Sequence, residues 1–275
     1  MKQTSHTVTD WLDKRARLTP DRVALIDNAT QEKTTYADWN ARANRTANFL
    51  RSLGVAKGDR VAVYASNCTE YLDLFWAASK IGVVLQNLNW RLTVHELKGI
   101  VSSGAPKVLI YSEDWKAQVE ELEPSLDTVD DIVAFGEPRE GERPFSERDS
   151  ESANLEGRPE LTLDDPLGIY YTGGTTGLPK GAVLTHGNVT WNSVNTITSW
   201  GIHAGHVAAL QLPFFHVGGP NIFMVPLVHV NCRETKTNPV PRRLPPFIST
   251  KRKLVVEFAR KVPDPLITTL SEIHD

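Results

Sequence analysis

The fold and chemistry of this 275-residue chain are indicated by one stretch, Tyr171-Thr172-Gly173-Gly174-Thr175-Thr176-Gly177-Leu178-Pro179-Lys180-Gly181. It holds four glycines, three threonines and one lysine and follows the apolar segment 167–170. Because glycine reaches positive φ without steric cost, such a loop can turn its backbone N–H groups toward an anion. Threonine hydroxyls add donors, and lysine adds a mobile positive charge. The composition predicts a site for a polyphosphate, most simply that of ATP.

Two common phosphate motifs do not fit this loop. A Walker A loop needs glycine immediately before its lysine and serine or threonine after it. Here Pro179 precedes Lys180 and Gly181 follows it, and the dinucleotide pattern GxGxxG does not match either. The structural alternative is a glycine-rich turn between two strands with a solvated lysine.

The alternation of elements predicts an α/β fold. Apolar spacing and turn residues predict helices at 35–53, 69–79 (capped by Asn67 or Thr69) and 93–102, and strands at 60–64, 83–85, 107–111, 131–135 and 167–171. This order favours βαβ units and mainly parallel sheets flanked by helices, with Trp39, Phe75 and Trp76 in the core. The stretch 137–160 is rich in Glu, Arg, Ser and Pro, so it is predicted to be a solvated polar loop.

Composition restricts the class of protein. Hydrophobic residues make up 40% and charged residues 23%, as in soluble globular proteins. The net charge of −3 favours neither nucleic acid nor an acidic membrane surface. No apolar run reaches the ~18–20 residues of a membrane span, and 217–230 is predicted to be a buried segment. Cys68 and Cys232 form no disulfide or zinc pattern and the N-terminus lacks a signal-peptide core, so a cytoplasmic location is expected.

Five segments, in the right order, carry a family resemblance. Residues 172–181 resemble the phosphate-loop signature T-S-G-T-T-G-x-P-K-G of the adenylate-forming enzymes, the AMP-dependent acyl-CoA synthetases and their relatives, with Gly173 in place of Ser. The other matching segments are 183–189, 212–219, 53–63 and 88–93. The resemblance covers roughly residues 7–229 and implies the N-terminal portion of the AMP-binding domain.

The resemblance also implies a reaction. Enzymes of this family join a carboxylic acid to AMP with release of pyrophosphate, and the acyl-CoA synthetases then pass the acyl group to coenzyme A. This chain would thus be an acid–thiol ligase acting on a small-molecule carboxylic acid, with a fatty acid expected, and using ATP, Mg²⁺ and coenzyme A as a co-substrate. No metal-ligating protein residue is predicted.

The resemblance assigns roles to individual residues. The expected phosphate-binding residues are Thr172, Gly173, Gly174, Thr175, Thr176, Gly177 and Lys180, although Gly173 removes a hydroxyl that the family usually supplies. His216 is expected beside the acyl carboxylate, with Phe214 and Phe215 shaping the pocket. The alternative for His216 is a turn histidine that only hydrogen-bonds the backbone. His203 and His206 have metal-like spacing but are predicted to be surface residues.

The sequence departs from the family pattern after about His229. The segment 230–275 is rich in proline and basic residues and lacks the family's later motifs, including its Mg²⁺-binding glutamate, ribose-binding aspartate and C-terminal lysine. It is expected to lie outside the family fold, and the chain is expected to be truncated and inactive alone. A sheet cut off midway would expose an edge and apolar surface, which predicts poor solubility or dependence on a partner. The oligomeric state is not predicted.

Three functions remain open from the sequence. The first is an acyl-CoA ligase by descent. The second is an adenylating enzyme that delivers its acyl group to a carrier protein or to oxidative chemistry. The third is a non-catalytic nucleotide-binding or interaction protein whose basic tail contacts an anionic partner.

Overall fold

A computed structural model describes residues 7–172, 179–222 and 224–229, together with the backbone of 254–256. The helices are α1 (Trp11–Leu18), α2 (Tyr36–Ser52), α3 (Thr69–Ile81), α4 (Val94–Gly104), α5 (Lys116–Leu122), α6 (His186–Trp200), α7 (Gly218–Ile222) and α8 (Met224–His229). The strands are β1 (Val23–Asp27), β2 (Lys33–Thr35), β3 (Arg60–Tyr64), β4 (Val84–Asn87), β5 (Val108–Tyr111), β6 (Asp131–Ala134), β7 (Arg143–Pro144), β8 (Pro166–Thr172), β9 (Lys180–Thr185), β10 (Ala208–Leu210) and β11 (Leu254–Val256).

The larger sheet has seven strands in the order β7-β6-β5-β3-β4-β8-β9. All neighbours are parallel except β8 and β9, which form an antiparallel hairpin. The buried central strands consist largely of Val, Leu, Ile and Ala, as expected for parallel strands covered on both faces. The predicted α/β class and parallel sheet are confirmed.

Helices cover both faces of this sheet, and successive side chains of each strand point alternately to one face and to the other. Val61 and Val63 belong to a core that includes residues of α2 and α3, whereas Ala62 and Tyr64 belong to a second core with α4 and α5. This is the period of two that a strand imposes. The first core also contains Trp39, Phe75 and Trp76, the three residues that the sequence placed in the core.

The smaller sheet is antiparallel, with the order β10-β11-β1-β2, so the expectation of parallel strands does not extend to it. Strand β11 comes from the segment 230–275 and pairs with β1 and β10. The side chains of β11 and the rest of that segment lie outside the described residues. Each helix found among the described residues is too short or too polar to span a lipid bilayer.

Helix ends follow the expected capping chemistry with one correction. Thr35 caps α2, and Thr93 forms a capping box with Glu96 at α4. Gly82 ends α3 with φ of 72°, which glycine adopts without strain. The predicted cap of α3 at Asn67 or Thr69 is wrong, because Cys68 occupies that position without a side-chain hydrogen bond.

The polar stretch 137–160 exposes many of its residues, but part of it packs against α2. Residues 143–158, here called the strap, cross α2 and are fixed by side chains that donate to strap carbonyls. Asn44 donates to Ala153 at 2.9 Å and Arg51 to Glu156 at 2.7 Å. Phe145 is buried edge-on against Phe49 at a ring separation of 5.9 Å. Its few apolar side chains and many backbone acceptors let a polar segment pack against α2.

The strap also completes a buried ionic cluster. Asp73 of α3 is fully buried and accepts at Oδ2 from Arg148 of the strap at 2.6 Å and from Arg42 of α2 at 2.7 Å. Arg148 also donates to the hydroxyl of Thr46 at 3.1 Å. Burial raises the pKa of Asp73, while the two guanidinium groups oppose that rise. The cluster joins α2, α3 and the strap.

Candidate nucleotide-binding site

The predicted phosphate loop connects the two strands of the β8–β9 hairpin. Thr172 ends β8, Lys180 begins β9, and these two exposed residues are paired in register. The hydroxyl of Thr172 donates to the carbonyl oxygen of Lys180 at 3.4 Å. The loop glycines and threonines Gly173, Gly174, Thr175, Thr176 and Gly177 lie outside the described residues. The hairpin thus brings the two outer members of the predicted set together.

Strand β8 is held at its carboxyl end by polar side chains of β4. The amide of Gln86, which is fully buried, donates to the hydroxyl of Tyr171 at 2.9 Å. The amide of Asn87 donates to the carbonyl of Ile169 at 3.2 Å. Parallel β8 and β4 have their carboxyl ends at the same edge of the sheet, where ligands of open α/β sheets bind.

His216 lies in a tight turn between β10 and α7. Its backbone N–H donates to Pro213 at 3.1 Å, and its carbonyl accepts from Gly219 at 2.8 Å. A Cβ at Gly219 would lie 2.4 Å from the carbonyl oxygen of Pro213, so the turn requires glycine there. The His216 side chain is exposed, and its Nδ1 accepts from the N–H of Gly218 at 3.1 Å. His216 therefore makes the backbone contact expected of a turn histidine, and it also exposes an edge of its ring to solvent.

Asn67 ties this turn to the larger sheet. Its side chain donates to the carbonyl of Leu212 at 2.8 Å and accepts from the N–H of Phe214 at 2.9 Å. Asn67 follows β3 by three residues, so it stands at the carboxyl edge of the sheet. Sequence reasoning assigned Asn67 to a helix cap, and a single sequence carries no signal for this long-range contact.

Aromatic residues hold the same turn against the sheet edge. Phe214 packs edge-on against Tyr71 at 5.6 Å, and Phe215 packs edge-on against Trp90 at 5.7 Å. Trp90 follows β4, and the guanidinium of Arg91 lies over its ring at 4.9 Å. Phe214 and Phe215 are both buried by these contacts.

The carboxyl end of β8, which leads to the predicted loop, and the His216 turn meet the same edge of the sheet. Strand β4 lies between β3, whose edge holds the turn through Asn67, and β8, which leads into the loop. A second link is the hydrogen bond between the side chains of Tyr170 of β8 and Asn221 of α7. Burial raises the pKa of the Tyr170 hydroxyl to about 12, and this hydrogen bond opposes part of the rise. The edge thus brings the carboxyl end of β8 and the His216 turn close to the same strand, β4.

The histidine pair His203 and His206 does not form part of this edge. His203 is exposed as predicted, but His206 is buried, so the prediction of a surface residue is wrong for it. Its Nδ1 accepts from the backbone N–H of His203 at 3.1 Å, and burial lowers its pKa to about 4. Within the described ranges, no group of three or more His, Cys, Asp or Glu side chains is arranged to hold a metal ion.

Replacing Asn67 with alanine is expected to loosen the His216 turn. The change leaves the N–H of Phe214 and the carbonyl of Leu212 without their side-chain partner, at a cost of about 1–3 kcal/mol in unfolding free energy. Urea denaturation measures the loss, and hydrogen exchange should rise at Phe214. Asn67→Asp, which keeps the acceptor for Phe214, should retain more protection there; equal protection in all three proteins would contradict the assignment.

The chain matches the family model for AMP-binding enzymes over residues 12–235. It belongs to the AMP-binding enzyme family. This AMP-binding enzyme is 37% identical over 212 residues to the long-chain-fatty-acid–CoA ligase FadD13 of Mycobacterium tuberculosis, across 75% of this chain and 40% of that protein. It is 33% identical over 215 residues to the indoleacetate–CoA ligase of Aromatoleum aromaticum, across 78% of this chain and 42% of the relative. The chain thus spans less than half the length of these relatives.

Solved structures show the same fold. The N-terminal domain of FACL13 from Mycobacterium tuberculosis superposes with a TM-score of 0.68 at 34% identity, across 80% of this AMP-binding enzyme and 55% of that domain. ATP-bound MatB from Rhodopseudomonas palustris gives 0.68 at 28% identity, across 81% of this chain and 44% of MatB. The fold is that of the N-terminal part of adenylate-forming enzymes, as the sequence predicted.

Proposed function

We propose that this chain is the ATP-binding front portion of an AMP-forming acyl-CoA ligase. The activity proposed for the whole enzyme is activation of a carboxylic acid to acyl-AMP, followed by thioester formation with coenzyme A. The observation that carries the proposal is the β8–β9 hairpin, which pairs Thr172 with Lys180 at the carboxyl edge of the sheet in a member of the AMP-binding family. FadD13, a fatty-acid ligase by name, supports a fatty acid as substrate.

The residues of the hairpin suit the chemistry of a triphosphate. The carboxylate must attack a highly charged α-phosphorus, so negative charge on the departing pyrophosphate has to be stabilised. Lys180 would provide a cation and Thr172 a hydroxyl, with Gly173, Gly174, Thr175, Thr176 and Gly177 as the backbone donors between them. Mg²⁺, bound through the phosphate oxygens, would supply further charge neutralisation.

His216 is proposed to stand beside the acyl carboxylate. Its ring is exposed at the sheet edge, while its Nδ1 is engaged by Gly218, so Nε2 is the atom available to a ligand. The buried Phe214 and Phe215 would help to shape the pocket for the acid. We further propose a cytoplasmic location, where ATP and coenzyme A are supplied.

The test is ATP binding by the full chain. Lys180→Met is expected to weaken binding of a fluorescent ATP analogue in the presence of Mg²⁺ by about 10- to 100-fold, because a hydrogen bond to a charged group is lost. Lys33→Met, at an exposed lysine of β2, is the matched control and should bind like the unaltered chain. Equal affinity in Lys180→Met and the unaltered chain would reject the phosphate role.

A second measurement separates a ligase from a non-catalytic nucleotide-binding protein. Pyrophosphate release that depends on added carboxylic acid supports adenylation by this chain. ATP binding without such release is expected of the incomplete chain under either reading, so the non-catalytic alternative is supported only by salt-sensitive binding of an anionic partner that is lost when the basic segment 230–275 is removed. The assay uses a panel of fatty and aryl acids, so the natural acyl chain need not be known.

A further inference from the structure

The side chain of Tyr171 links the end of β8 to the neighbouring strand and to a helix. Its hydroxyl accepts from the amide of Gln86 of β4 at 2.9 Å and donates to the carbonyl of Ile100 of α4 at 3.4 Å. The Gln86 amide donates to the same Ile100 carbonyl at 2.9 Å. The three groups form a closed set of hydrogen bonds, in which the fully buried Gln86 fixes the outer end of the tyrosine ring.

The ring of Tyr171 lies against the backbone of Gly181 on β9. The two residues are opposite each other in the pairing of β8 with β9. A Cβ at Gly181 would lie 3.1 Å from Cε1 of the Tyr171 ring and 2.8 Å from Cγ2 of Ile169, so glycine provides the room that the ring needs. Such close approach is a common reason for glycine inside a strand. The position of the ring and that of the β9 backbone are therefore coupled.

Lys180 lies one residue from this contact. It is opposite Thr172 in the register, just as Gly181 is opposite Tyr171. Because side chains alternate along a strand, Tyr171 faces the side of the sheet that carries α4, whereas Thr172 and Lys180 face the other side. Tyr171 accordingly packs against the second core, and Thr172 and Lys180 are exposed. Tyr171 thus acts on a ligand of Lys180 through the strand backbone and not by contact.

We propose that Tyr171, with its hydroxyl held by Gln86, positions Lys180 for the phosphate groups of the nucleotide. The inference rests on the proposed function, in which Lys180 provides a cation to the departing pyrophosphate. Lysine carries its charge on a flexible stem, so the place of its backbone determines which phosphate its ammonium group reaches. Charges that are already in place stabilise a developing anion better than charges that must first move. The hydrogen bond from Gln86 to Tyr171 fixes that place from the opposite face of the sheet.

The test compares variants that remove this one hydrogen bond. Tyr171→Phe in the full chain is expected to weaken binding of a fluorescent ATP analogue with Mg²⁺ by about 2- to 10-fold, as for the loss of a single hydrogen bond. Gln86→Met removes the donor, and because Oε1 of Gln86 has no hydrogen-bond partner among the described residues, it removes no acceptor in use. It should cause a similar loss. The double variant should bind no more weakly than either single variant, since both remove the same bond.

Tyr111→Phe is the matched control. It also removes a tyrosine hydroxyl at the carboxyl end of a strand of this sheet, where Tyr111 of β5 donates to Glu142 at 2.6 Å. It should leave the affinity for the ATP analogue unchanged. In the free chain, hydrogen exchange should rise at the amide of Gly181 in Tyr171→Phe and not in Tyr111→Phe. Thermal unfolding verifies that each variant is folded.

The Lys180→Met background separates positioning from a general loss of stability. If Tyr171 acts through Lys180, adding Tyr171→Phe to Lys180→Met should weaken binding no further. Unchanged affinity in Tyr171→Phe, an equal loss in Tyr111→Phe, or a further loss in the Lys180→Met background would each overturn the positioning role.

The two proposals fail in different ways. Unchanged affinity in Lys180→Met rejects the phosphate role of Lys180, and the positioning role with it. A loss in Lys180→Met that is not accompanied by a loss in Tyr171→Phe rejects the positioning role alone.

Discussion

Replacing Asp73 with alanine is expected to lower the free energy of unfolding by about 3–5 kcal/mol. Asp73 is fully buried and is shared by Arg42 and Arg148, which approach the same carboxylate oxygen at 2.7 Å and 2.6 Å. Without the carboxylate, the nearly buried guanidinium of Arg148 is left without its counter-charge, and two like charges face each other. The loss greatly exceeds that from a surface pair because water cannot replace the missing partner.

Urea denaturation of Asp73→Ala and Asp73→Asn measures this effect. Asparagine keeps an acceptor oxygen but no charge, so a large loss in both variants assigns the effect to the missing charge. Arg17→Ala is the matched control, because Arg17 is 73% exposed in its pair with Asp13 and should contribute less than about 1 kcal/mol. A loss below 1 kcal/mol in Asp73→Ala would contradict the proposed importance of the cluster.

Replacing Trp39 with alanine is expected to destabilise the fold by a similar amount, about 3–5 kcal/mol. Trp39 of α2 is fully buried and packs edge-on against Trp76 of α3 at a ring separation of 6.1 Å. Truncation leaves a cavity between α2 and α3. The cost combines lost apolar burial with lost contacts around the cavity.

The same denaturation experiment includes two comparisons. Trp39→Phe keeps most of the ring and removes an indole N–H that has no hydrogen-bond partner among the described residues, so it should cost less than about 1.5 kcal/mol. Trp191→Ala removes an exposed indole and should change stability by less than about 0.5 kcal/mol. Similar losses at Trp39 and Trp191 would show that burial does not determine the effect.

Local patterns predicted the central part of the fold. The helix at 35–53 and the strands at 60–64 and 107–111 are confirmed by α2, β3 and β5 within two residues. These elements combine strong periodicity with clear end signals, such as Thr35 before α2 and Gly82 after α3. The strand predicted at 167–171, before the glycine- and threonine-rich segment, is confirmed by β8, and the phosphate-binding role of that segment stays a prediction. The assigned roles of Lys180 and His216 stay predictions.

Contacts between distant residues explain what the sequence did not show. The low hydrophobic content of the strap predicts a solvent-exposed segment. In the structure, strap carbonyls accept hydrogen bonds from α2 side chains about 105 residues away. His206 reads as a surface residue, but the turn beginning at His203 folds it inward. Asn67 reads as a helix cap although it holds the His216 turn. For the strap and for Asn67 the partner is polar and remote, so no periodicity reveals it, whereas His206 is held by a local turn.

The long reach of the strap also sets an order for folding during synthesis. Arg51 and Glu156 are separated by 105 residues, as are the other contacts between α2 and the strap to within a few residues. At about 5–20 residues per second, a ribosome needs about 5–20 s to synthesise that interval. Helices α2 and α3 can therefore meet well before Arg148 exists. Asp73 and Arg148 are 75 residues apart, so for about 4–15 s of synthesis Asp73 has Arg42 but not Arg148 as a partner, and we expect the ionic cluster to be completed only once the strap is made.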